Sequence, residues 1–192
     1  MQLLRVLLLL ACSVALPAHA NWYLDNESSR IAFVSTKNQS VAEPQRFLKL
    51  HGNVDKQGKV RMRVELESIA SGIPLRDERM RSMLFEIDKY PEATIEAQID
   101  LDQLATLAPG AQLEIQQPMQ LNLHGKQQQY SAELLITRLD YHRFQAVTLS
   151  PLILNIDDFA LSPGLETLRN AAGLKSISPA VPVSVVLIFS QR

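Results

Sequence analysis

Apolar and polar residues alternate with a period of two along much of this chain. Val60, Met62, Val64 and Leu66 stand between Arg61, Arg63, Glu65 and Glu67, the pattern of a strand with one dry and one wet face. The pattern returns at Ala93, Ile95, Ala97, Ile99 and Leu101. It returns again at Leu113, Ile115, Met119, Leu121 and Leu123, where only Gln117 falls out of step. A turn at Gly125-Lys126-Gln127 leads into Tyr130, Ala132, Leu134 and Ile136, so these two runs read as an antiparallel hairpin. Further strands are expected over residues 30–37, 47–54, 144–155 and 181–190, the last apolar on both faces from Val183 to Phe189.

Two stretches change period. Met80, Met83, Leu84 and Ile87 recur at three- and four-residue spacing, which predicts a short helix over residues 77–87 with Asp77 as its cap. A second helix is expected over residues 165–172, after Ser162-Pro163 and stopped by Gly173. Eight or so strands in meander order, each with a single dry face, satisfy their edges most simply by closing. The expected fold class is therefore all-β with one or two short helices, built as an eight-stranded antiparallel β-barrel.

A barrel of that size is either filled by side chains or holds one small ligand. The sequence has six phenylalanines and one tryptophan, and its dry faces are mostly Val, Leu, Ile, Met and Ala, so a lumen plugged by large rings is not expected. The strand period assigns the lining to Val60, Met62, Val64, Leu66, Ile95, Ala97, Ile99, Leu113, Ile115, Met119, Leu121, Tyr130, Leu134, Ile136, Phe144, Val185 and Leu187. The same positions describe a dry protein core equally well, and periodicity does not separate the two.

The first twenty residues alter the setting. Arg5, the apolar run over residues 6–16 and the small-x-small end Ala18-His19-Ala20 form a secretory signal peptide, with cleavage expected after Ala20. The run is about half the roughly 20 residues a membrane span needs. Leu9-Leu10-Ala11-Cys12 has the look of a lipoprotein site, but a cut there leaves a very short hydrophobic region. Cleavage after Ala20 leaves residues 21–192 as one domain and removes Cys12, the only cysteine, so no disulfide can form. An exported domain without cysteine points to a bacterial periplasm. Removing Arg5 leaves 18 basic and 20 acidic residues, which is no nucleic-acid footprint.

Chemistry-bearing motifs are sparse. His51, His124 and His142 stand far apart without metal-ligand spacing, and no GxSxG elbow or glycine-rich phosphate loop is present. Asp157-Asp158 reads as the entry to a loop or helix, and Glu65 with Glu67 as a solvated strand face. No catalytic residue, metal or cofactor is expected. The block Arg76-Asp77-Glu78-Arg79-Met80-Arg81 is an amphipathic helix with solvated arginines on the plainer reading. On the sharper one it lies across a barrel mouth and meets the polar end of a bound lipid.

That block resembles the signature of the YceI-like family, in which an Arg-Asp-x-His-Leu helix is followed by a Phe-Phe-Asp-x-x-x-Tyr-Pro turn into a strand. Arg76, Asp77, Met80, Phe85 and Tyr90-Pro91 match it, ahead of Thr94-Ile95-Glu96-Ala97. Leu121-Asn122-Leu123-His124-Gly125 resembles the family's Leu-x-x-His-Gly stretch, and Asp158-Phe159-Ala160-Leu161 its Asp-Phe-Gly-Leu stretch. Arg79 stands where the family has histidine, Leu84 where it has phenylalanine, Ile156 where it often has arginine and Ala160 where it has glycine. The likeness runs from Trp22 to the last strand.

The resemblance implies an extended lipocalin-like barrel in the periplasm, holding a polyisoprenoid or other long-chain amphiphilic lipid, with no enzymatic activity. Arg76, Asp77 and Arg79 are then the headgroup candidates. The implied partners are the lipid and a membrane protein that loads or receives it, with the chain a monomer or homodimer. Two rivals stand against this. A stress or interaction module would show an outer apolar patch at Val186 and Ile188, and a small hydrolase would need a nucleophile-base pair.

Overall fold

The computed structural model describes residues 21–191, so the expected signal peptide and Cys12 lie outside the described residues. The strands are β1 (Trp22–Leu24), β2 (Arg30–Lys37), β3 (Val41–Phe47), β4 (Leu50–Val54), β5 (Lys59–Glu65), β6 (Ile69–Ala70), β7 (Glu92–Gln98), β8 (Gln112–Leu123), β9 (Lys126–Asp140), β10 (Arg143–Thr148), β11 (Leu152–Asn155) and β12 (Ala180–Gln191). All pairings are antiparallel. The ring runs β1-β4-β5-β7-β8-β9-β10-β12, and β1 closes it by pairing with both β4 and β12. The expected eight-stranded barrel is the observed one.

Beyond the ring the sheet flares. β12 pairs along one edge with β1 and β2 and along the other with β10 and β11, so one long strand serves both the barrel and an upper extension, β11-β12-β2-β3-β6. Three neighbouring strand lines break at one level, between β1 and β2, β3 and β4, and β5 and β6. Side chains fill the backbone bonds lost there. Asn26 donates to the Leu48 carbonyl at 3.2 Å and accepts from the Leu50 N–H at 2.6 Å, while the Ser68 hydroxyl accepts from the N–H groups of Leu48 and Lys49. The break explains why the strand expected over residues 47–54 begins only at Leu50.

β3 was not expected, because its sequence Val41-Ala42-Glu43-Pro44-Gln45-Arg46-Phe47 has no clean alternation. Pro44 is tolerated because β6 covers only Arg46 and Phe47, which leaves β3 an edge strand at Pro44. The strand expected to continue to Leu101 ends at Gln98. There the Asp100 carboxylate accepts from the N–H groups of Asp102 and Gln103 and starts a short helix, α2 (Leu101–Ala105).

The helical block starts earlier than expected. α1 (Pro74–Arg79) opens on Pro74, whose missing N–H costs nothing in a first turn. Asp77 is therefore not its cap; it is buried and accepts from the Ser71 N–H at 2.9 Å. A wide π-turn, Met80–Leu84, follows. The last helix, α3 (Ser162–Ala171), crosses this turn so closely that a Cβ on Gly164 would lie 2.4 Å from the Met83 carbonyl oxygen. Only glycine permits that approach. Together α1, the π-turn, α3 and a 3₁₀ turn at Ile156–Phe159 roof the flared end.

Candidate functional site

Inward-facing side chains of the ring enclose a cavity of about 310 Å³. On β12 the lining residues are Val181, Val183, Val185, Leu187 and Phe189, eight residue steps, so the lining runs about 26 Å along this tilted strand at roughly 3.3 Å per residue. Many of these inward side chains, among them Ile95, Ala97, Ile115, Met119, Leu134, Ala146 and Val185, are only half-buried although they face away from the outer surface. A packed core would cover them; here space does.

Sixteen of the seventeen residues assigned to the lining by strand period line the cavity. Tyr130 does not. Its ring stacks on Phe159 at 6.2 Å and its hydroxyl donates to the Asp158 carboxylate, because the 3₁₀ turn folds over that end of β9. Burial there pushes the Tyr130 phenol up from its ordinary value, with Asp158 adding to the shift. The period reading also missed Phe33, Phe47 and Phe85, which close the roofed end as successive ring contacts of 5.5 and 6.0 Å.

At the other end Trp22 packs edge-on against Phe144 at 4.8 Å, and the Arg138 guanidinium lies 5.2 Å over the Phe144 ring. Arg138 directs its donors to the carbonyls of Leu104, Ala105 and Leu107 and of Asp140 and Tyr141, which fastens the C-terminus of α2 to the barrel. Among the lining residues only Asp100 and Gln103 are exposed, and both belong to the start of α2. The lumen reaches solvent there.

Arg76, Asp77 and Arg79 do not line the lumen. Arg76 bonds Glu43 and Ser71, Asp77 holds the Ser71 N–H, and Arg79 donates to the Ala171 carbonyl at the end of α3 at 3.1 Å. The charge-dense block thus latches the roof to the flared sheet. A second latch joins the turn after the π-helix to the β8–β9 hairpin. His124 Nε2 lies 2.9 Å from the Glu86 carboxylate, Nδ1 lies 3.2 Å from the Phe159 carbonyl, and the Tyr90 ring packs on the imidazole at 4.3 Å. Glu86 and His124 both adopt left-handed backbone, φ 47° and 52°, strain of order 1–3 kcal/mol each that these contacts must offset.

The latches make stability depend on acid. Lys37 and then Arg76 hold the Glu43 carboxyl below its ordinary value of 4.5, and Lys89 and then His124 do the same for Glu86. A carboxylate lowered in the folded state contributes fully above its unfolded value and loses that contribution as pH falls through the folded one. Urea midpoints are therefore expected to fall as pH drops below 4.5, and Glu43→Gln should flatten that acid limb. An unchanged limb in Glu43→Gln would remove the latch at Arg76.

Val186 and Ile188, the outer positions that would mark an interaction face, are half-buried. A closed antiparallel ring around a long apolar cavity, roofed at one end and open beside a short helix at the other, is the architecture of a lipocalin-like barrel. The sequence matches the YceI-like domain over residues 22–189, and the chain belongs to the YceI-like family. A solved polyisoprenoid binding domain from Saccharophagus degradans, implicated in plant cell wall breakdown, is 36% identical; the match covers 89% of this chain and 98% of that one, with a TM-score of 0.87. BcnA of Burkholderia cenocepacia (16% identity, 86% and 98% covered, TM-score 0.66) and a Campylobacter jejuni YceI protein (12%, 77% and 84%, 0.56) share the fold. No curated protein matches the sequence.

Proposed function

We propose that the chain is a periplasmic binding protein that carries a long-chain amphiphilic lipid, a polyisoprenoid, isoprenoid quinone or fatty-acid derivative, inside the barrel. One observation carries this reading: the lumen is continuous, apolar along its length and open at one end. The likeness to a domain described as polyisoprenoid binding supports the choice of ligand class. The export assignment rests on the first twenty residues.

Magnitudes favour a tail-driven carrier. Each methylene taken from water contributes about 0.8 kcal/mol, so one isoprene unit contributes roughly 4 kcal/mol before losses. Micromolar binding needs only about 8 kcal/mol net. A few buried units suffice after the cost of fixing the chain. A tail sealed in this way leaves spontaneously only with difficulty, so hand-off calls for a membrane partner that engages the open end. The reading needs no catalytic group.

The test is extraction of the purified protein with organic solvent, followed by lipid mass spectrometry. A long-chain lipid is expected in molar proportion to protein. An empty extract, together with no uptake of added polyisoprenoid, would reject the carrier.

A further inference from the structure

Gln117 is the polar residue on the inward row of β8 that runs from Leu113 to Leu123, and at 7% exposure it is buried in the lumen wall. Its amide nitrogen donates to the Gln98 carbonyl at 3.1 Å and the Pro118 carbonyl at 2.7 Å. Both amide hydrogens thus point at carbonyl oxygens. Turning the amide over would set Oε1 against those same oxygens, so the orientation is fixed and the acceptor Oε1 is the end left for the lumen. An amide acceptor in apolar surroundings is costly until a donor meets it. The other deeply buried amide, Gln45, donates to the Ser35 hydroxyl at 2.6 Å and leaves its own Oε1 unpaired, but it does not reach the lining.

Place and charge narrow the partner. Gln98 ends β7, two residues before Asp100, so Gln117 stands just inside the open end. Among the described residues no Lys, Arg or His lines the lumen, and its one charged lining residue is the Asp100 carboxylate at the mouth. Arg138, at the far end of α2, directs its donors at backbone carbonyls. Of the remaining polar lining groups, Thr148 Oγ1 already accepts from the Val185 N–H, Gln103 is in solvent, and Gln145 and the Trp22 indole stand on β10 and β1, two and four strands round the ring from β8. Beside Gln117 an anionic end would meet an amide oxygen, and at the mouth the Asp100 carboxylate. A neutral end bearing O–H or N–H would meet an acceptor.

We propose that Gln117 is a specificity-determining residue that accepts a hydrogen bond from a neutral donor, typified by an alcohol hydroxyl, on the polar end of the bound lipid. This rests on the carrier reading above, with the tail running toward Phe33, Phe47 and Phe85. The lipid therefore enters tail first past α2, and its polar end stays beside the mouth.

The experiment offers the protein equimolar geranylgeraniol and its methyl ether, and separately geranylgeraniol and geranylgeranic acid, and reads bound ratios by native mass spectrometry. The alcohol should exceed the ether by roughly three- to tenfold, the worth of one net hydrogen bond, and should also exceed the acid. Gln117→Leu and Gln117→Met, each checked for cooperative unfolding, should bring the alcohol-to-ether ratio to about one with ether uptake retained. An alcohol preference that survives both variants, a ratio near one in the unaltered protein, or preferred binding of the acid would overturn the assignment while leaving the carrier intact. Binding of none of the three lipids would overturn the carrier itself, and the assignment with it.

Discussion

Ala97→Phe is expected to abolish lipid copurification while changing the unfolding free energy by no more than about 1 kcal/mol. Ala97 lies on the inward face of β7, between Val60 and Met119, and is half-buried because it borders open space. In a packed interior the added ring would force neighbours off their rotamers and cost about 1–3 kcal/mol. Here the ring enters a cavity of about 310 Å³, whereas a cavity near 150 Å³ already admits benzene. Phenylalanine also suits a strand better than alanine. Stability and ligand content should therefore part company. Urea unfolding with solvent extraction decides the matter: a loss above about 3 kcal/mol would mean that the interior is a filled core.

Phe159→Ala is expected to act in the opposite way, lowering stability by about 3–5 kcal/mol, a large share of the 5–15 kcal/mol typical of a folded domain. Phe159 is 1% exposed, packs among Leu121, Ile156 and Leu161, and stacks on Tyr130. Its carbonyl faces His124 Nδ1, so the truncation also loosens the latch that holds the roof to the β8–β9 hairpin. The midpoint in urea should drop with an unchanged slope. A loss below about 1 kcal/mol would show that the 3₁₀ turn is not what seals that end of the barrel.

The ring of strands was legible because eight dry faces need closure, and a two-residue period states which side chains point inward. It could not state whether anything fills the middle, since a lining residue and a core residue have the same face. Helix boundaries failed for local reasons. Leu101 fits the first turn of a helix as well as the end of a strand, and the Asp100 cap decided between them. Pro74 could open a helix three residues before the charged cap that attracted the assignment. The arginine block looked like a headgroup site because its partners, Glu43, Ser71 and the Ala171 carbonyl, come from distant parts of the chain. Gln117 was visible as a break in alternation, and that break was the sequence's one mark of a polar site in the wall.

β12 pairs with β1, β2, β10 and β11, and residue 22 meets residue 191 across the seam. The strand that completes the ring is thus the last of the twelve to be synthesised, and none of the earlier ones can form a barrel alone. Closure waits on contacts between distant sequence positions, the slow kind in folding kinetics. Until β12 is in place the other seven strands of the ring cannot close, so the tunnel takes shape only when the two edges of the sheet meet.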